Sequence, residues 1–204
     1  MRPLSLITGA FIALLALPAL AQAPEGTLTN VRGTIVKLEG QTLVVKARKG
    51  PEVTVALAPG FAVLGIVKAK RADIKSGDFI GVAAAPGKDG KLHAQEVLIF
   101  PEAARGTGEG HYPWDLRGKN DTMTNATVSG VVSQSRARVL KLSYKGGEQE
   151  ILVSSRTPVV TFKPADAALL KPGAAVFMRA LKKPDGTIVA QRVIAEQGGV
   201  KPPM

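Results

Sequence analysis

The 204-residue chain carries 27 Lys and Arg against 16 Asp and Glu, a net charge of +11, with 4% aromatic residues and no cysteine. The missing cysteine excludes disulfide staples, thiolate metal sites and thiol nucleophiles. The basic excess either favours anionic partners through weak, salt-sensitive attraction or keeps an aliphatic-rich chain in solution.

In chain order, Arg2 is followed by an almost wholly apolar run over residues 4–17, which Pro18 ends before the small-x-small sequence Ala19-Leu20-Ala21. The pattern reads as a secretory signal peptide over residues 1–21, cut after Ala21. The rival is an uncleaved anchor, but the run is short for a span of about 20 residues. The expectation is an exported protein of the periplasm or cell envelope, with no transmembrane span in the mature chain.

Apolar residues then recur at a spacing of two. Residues 34–38, 43–47, 53–57, 79–84 and 92–100 read as strands, bounded by Gly and Pro. A short helix is expected over residues 68–75, before Gly77. Asp89-Gly90 is a two-residue hairpin turn. Leu92 and Ala94 share a face while Val97 and Ile99 have the opposite parity, which predicts a bulge near Gln95-Glu96. After residues 101–126 the same order returns: strands at 128–133, 139–144, 150–154, 175–181 and 187–195, with a short helix at 165–170. Residues 198–204 read as a flexible tail.

The return is an internal repeat. Asp89-Gly-Lys-Leu-His-Ala-Gln-Glu-Val-Leu98 reappears ninety-six positions later as Asp185-Gly-Thr-Ile-Val-Ala-Gln-Arg-Val-Ile194. Lys75-Ser-Gly77 matches Lys171-Pro-Gly173 in that register. Gly33 matches Gly130, and Leu43 and Val45 match Leu140 and Leu142, at ninety-seven. Residues 27–100 and 127–197 are therefore one small unit used twice, each near the lower size limit for an unstapled core. Five strands with one short helix between the third and fourth give an all-β fold of two tandem OB-like β-barrels; a small open β-sandwich is the rival.

These elements resemble a group of uncharacterised exported bacterial proteins. The resemblance rests on Gly33, on Ile74-Lys-Ser-Gly-Asp78 and on the hairpin from Asp89-Gly90 to Ala94. The second repeat has Leu170-Lys-Pro-Gly-Ala174, without the final Asp. The resemblance implies small β-barrel domains and carries no catalytic residues. Some chains of this kind are named metal-transporter permeases; here that would imply an envelope accessory role.

Both repeats are basic, with eleven Lys and Arg against six and five acids, whereas residues 101–126 have three against four. OB-like barrels often bind single strands, but such sites need aromatic stacking platforms. Scarce aromatics and the export signal argue against nucleic acid. Phe79, Phe100 and Phe177 read as core, leaving Tyr112, Trp114 and Tyr144 free.

Residues 101–126 form a Gly/aromatic linker that holds the only Trp, Trp114, and one of two His, His111. His111, Tyr112, Trp114 and Asp115 are the candidate binding residues, because rigid amphipathic rings make contact hot spots. Alternatively, Tyr112 and Trp114 pack between the repeats and fix their angle. Gly106, Gly108 and Gly110 lack the strand-to-helix step and following Lys of a phosphate loop. His111, Glu109 and Asp115 could ligate a metal, but one imidazole is thin for a transition-metal site. His93 reads as an ordinary strand position, and Asn125-Ala-Thr127 as an uninformative sequon. No nucleophile with a base can be assembled. The sequence thus leads to a non-catalytic envelope binding or adaptor protein without a cofactor, whose partner is an envelope protein or an anionic polymer or lipid. A metal-handling accessory of an envelope transport system is the alternative.

Overall fold

The computed structural model describes residues 25–116, 118–133 and 137–202; the expected signal peptide lies outside them. Twelve strands run β1 Thr27–Glu39, β2 Thr42–Ala47, β3 Glu52–Lys68, β4 Phe79–Pro86, β5 Leu92–Ile99, β6 Gly110–Pro113, β7 Thr122–Ser133, β8 Ala137–Tyr144, β9 Gly147–Ser154, β10 Val159–Ala165, β11 Ala175–Lys182 and β12 Ile188–Glu196. The period of two decides their faces. In β2, Leu43 and Val45 are fully buried while Thr42 and Lys46 face outward; in β3, Val55 and Leu57 point the same way. The protein is all-β. The two expected helices are single 3-10 turns, Arg71–Asp73 and Ala167–Leu169, too short to gain from α-helical cooperativity. None of the described helices is long and apolar enough to cross a membrane.

Strand pairing closes a five-stranded ring: β1 with β2, β2 with β3, β3 with β12, β12 with β11, and β11 back to β1. The β3–β12 pairing is parallel and the others are antiparallel. The first three strands come from the first repeat and the last two from the second. The complementary pairings join β7, β8 and β9 to β4 and β5, with β5 meeting β9 at Leu92↔Ile151 and His93↔Leu152. Residues 27–100 therefore do not close on themselves, as a tandem arrangement requires; each repeat gives its last hairpin to the other's strands. The reason lies in β3, which runs on for 17 residues and carries the chain past its own ring.

The exchange follows a pseudo-two-fold axis. Antiparallel β3 and β10 cross with Ile66 opposite Phe162, which are themselves ninety-six apart. The same shift converts Val63↔Val193 into Val159↔Val97. The expected bulge is present: Ala83 faces Glu96 and Ala84 faces Ala94, leaving Gln95 extra. The first hairpins need a correction. Ile35 and Val128, not Gly33 and Gly130, occupy equivalent places, since each bonds the turn before the fourth strand of its ring and each precedes a one-residue bulge. The second hairpin is four residues longer, which is why a constant sequence register misaligned its first strand. The linker is shortened accordingly, because β7 begins at Thr122 inside it.

Three apolar clusters result. One fills the first ring around Leu43, Val45 and Met178; one fills the second around Ile80, Leu140 and Ile151. A third lies between the rings, around Ile66, Leu98, Phe162, Phe177 and Ile194. Residues 198–202 are not a free tail: Gln197 pairs with Val200, Val200 packs on the third cluster and Pro202 is buried.

Candidate functional site

The linker adds β6 to the edge of β7, pairing His111 with Thr124 and Tyr112 with Met123. Alternation then separates the expected site residues. Tyr112 and Trp114 face the third cluster, whereas His111 faces away, its Nδ1 2.8 Å from Thr124 Oγ1 and its ring stacked on Tyr144 at 6.3 Å. Tyr144 is thus not free. Burial pushes the His111 imidazole below its ordinary value, so it is neutral at physiological pH. Glu109 accepts a hydrogen bond from the Lys145 amide at 3.0 Å.

Asp115 points back to the first ring. It accepts 2.9 Å hydrogen bonds from Asn30 Nδ2 and Arg32 Nη1. Burial pushes its carboxyl up, but those two bonds and the Arg32 charge outweigh this and hold it below the ordinary value. Arg32, itself buried, lies 5.1 Å from the Trp114 ring centroid and 5.0 Å from that of Phe177. Trp114 also meets Phe177 and Tyr112 edge-on at 6.3 and 6.0 Å. The linker is therefore clamped to β1 and β11 by a cation between two rings. His111, Glu109 and Asp115 are each engaged elsewhere, and among the described residues no group of three His, Asp or Glu is placed to hold a metal ion.

The face of Tyr112 and Trp114 that is not used in this clamp borders a cavity of about 580 Å³ between the rings. Phe61, Phe100 and Phe162 form further walls, and exposed Leu28 stands at its rim. Asn125 donates to the Thr107 carbonyl at 3.0 Å and to Tyr112 Oη at 3.3 Å. Burial raises the Tyr112 phenol, and Arg179 beside it pulls in the opposite direction. Arg179 and Arg192 line the cavity while remaining exposed. At the positions ninety-six earlier stand Ala83 and Glu96, both buried; the interface is sealed on that flank and open on this one.

Phe61, Phe100, Phe162, Asn125, Arg179 and Arg192 were not singled out from the sequence. Nothing local marks them, since they come together only through the exchange of hairpins. Asn125, read as part of a sequon, is 7% exposed and belongs to the cavity wall. The arrangement offers apolar ring faces, two cations and a few fixed polar atoms. It offers no nucleophile beside a base. Comparison with models of known families, with curated proteins and with solved structures found no match.

Proposed function

We propose that this is a non-catalytic binding protein of the cell envelope. It is exported by the residue 1–21 signal and built on two interlocked OB-like barrels. The strand order within the closed ring supports the OB-like reading: first, second, third, fifth, fourth, with the third and fifth parallel. The observation that carries the binding role is the inter-ring cavity, whose size lies in the range used by small-molecule sites and whose walls include linker Tyr112 and Trp114. The basic surface favours residence near anionic envelope polymers and lipids by charge. An adaptor role for the linker alone has less support, because its Trp is committed to Arg32 and Phe177.

The test is native mass spectrometry of the protein recovered from envelope extract, beside Ala62→Trp. Ala62 lines the cavity and is exposed on β3, so a larger side chain fills the cavity without disturbing a core. A small-molecule adduct on the wild type that is absent from the variant supports the reading. Identical adducts on both, or none on either, place the binding elsewhere or nowhere.

A further inference from the structure

We propose that the inter-ring cavity takes a small amphipathic anion, with a flat apolar body among the ring side chains and its acidic head between Arg179 and Arg192. The inference rests on the binding role above and adds the chemistry of the ligand.

Three observations carry it. The chain has only nine aromatic residues, yet Phe61, Phe100, Tyr112, Trp114, Phe162 and Phe177 all border this one cavity. Six rings in one place present faces and edges to a planar guest, where offset and edge-on contacts are favourable. Two arginines line the cavity and no acid, lysine or histidine does. Arg192 takes part in no ion pair given by the geometry of the described residues, and Arg179 meets only the neutral Tyr112 hydroxyl. Planar guanidinium groups free of carboxylates suit a carboxylate, sulfonate or phosphate.

The third observation is a pair of unpaired polar atoms. Trp114 Nε1 and Asn125 Oδ1 are buried without a hydrogen-bond partner, and both residues belong to the cavity wall. Buried donors and acceptors are rarely left so. One is a donor and the other an acceptor, so a hydroxyl or amide on the guest could answer both. The fold does not impose these features: the second flank of the same interface, related by the pseudo-two-fold axis, has Ala83 and Glu96 in place of the two arginines.

The lone Trp makes the experiment direct. Quenching of Trp114 fluorescence is titrated with 8-anilino-1-naphthalenesulfonate and with N-phenyl-1-naphthylamine, which has the same rings without the sulfonate. The protein is the mature chain, as wild type, Arg192→Gln and Arg179→Gln. Urea midpoints confirm that the exposed substitutions leave the fold unchanged. The expected result is one saturable site per chain for the sulfonate, about tenfold tighter than for the neutral probe. Each arginine variant weakens the sulfonate about tenfold and leaves the neutral probe unaffected. Equal affinities for both probes, unchanged in the variants, would overturn the anionic head while keeping a purely apolar site. No saturable quenching by either probe would overturn the binding role itself. Quenching with several sulfonates per chain that salt abolishes would mean surface charge alone, and would likewise overturn the proposal.

Discussion

Arg32 shows how much one side chain can hold. Its Nη1 bonds Asp115, while Nε and Nη2 have no hydrogen-bond partner among the described residues; ring faces take that place. Its stem and guanidinium fill space between β1, β11 and the linker, so Arg32→Ala removes packing as well as charge. We expect a loss of about 2 kcal/mol in urea unfolding. Asp115 is more than half exposed, so Asp115→Asn should cost under about 1 kcal/mol. The reverse order would mean that the ion pair, not the ring sandwich, fixes the linker. The Asp115 carboxyl titrates below its ordinary 3.8 in the folded protein. Its contribution is therefore present above that pH and lost as pH falls through the folded value. The gap between wild type and Asp115→Asn should be seen at pH 7 and close by about pH 3.

His111 works with the same sign through a different cause. Burial holds it below 6.5, so the unfolded chain takes up its proton first and the folded state loses stability as the medium is acidified below that value. Replacing it by Gln should lessen the fall in melting temperature between pH 7 and 5. An unchanged fall would show that the imidazole has no share in acid sensitivity.

At the scale of elements, the two first hairpins look alike in sequence and differ in space. A methyl at Gly33 would stand 2.0 Å from the Lys46 carbonyl oxygen, which is backbone and cannot yield without moving β2. A methyl at Gly130 would meet only the flexible Lys141 side chain at 3.7 Å. Gly33→Ala is expected to destabilise by about 3 kcal/mol and Gly130→Ala to stay within about 1 kcal/mol of wild type. Comparable losses would restore the equivalence that the sequence register implies. β3 shows a similar divergence. It bends through Pro59 and Gly60, with Gly60 at φ 70°, and continues as one strand. The matching stretch of the second repeat breaks into β9 and β10. Alternation made the strands and the Gln95 bulge legible from local residues. The expected helices failed because their segments were long enough for only one turn.

Interlocking is a property of the whole molecule and has a consequence for folding. A chain ending after residue 105 keeps β1 to β5 but lacks β11 and β12, the strands that close its first ring. It should be unfolded alone, or should pair with a copy of itself that supplies the missing hairpin. Mixed with residues 106–202, it should form a one-to-one complex with the circular dichroism of the intact protein, measured with light scattering for mass. A folded monomeric half would contradict the exchange. For the same reason the intact chain should unfold in one transition, because neither ring can lose its strands without opening the other.

Sequence alone determined what depends on neighbours in the chain: all-β character, the duplication, the hairpins, and a linker unlike either repeat. A period of two and a glycine turn are local signals, because side-chain direction and backbone sign are set residue by residue. It could place Tyr112 and Trp114 in a special segment, but could not separate them from His111 and Asp115, which strand alternation and a turn send elsewhere. Tertiary structure decided which hairpin closes which ring, since a repeated sequence makes self-closure and exchange nearly equal in contacts. That choice alone brings Phe61 and Phe100 of one repeat to Phe162, Arg179 and Arg192 of the other. The cavity is therefore a product of the crossing of β3 and β10 and of nothing that can be read at either strand separately.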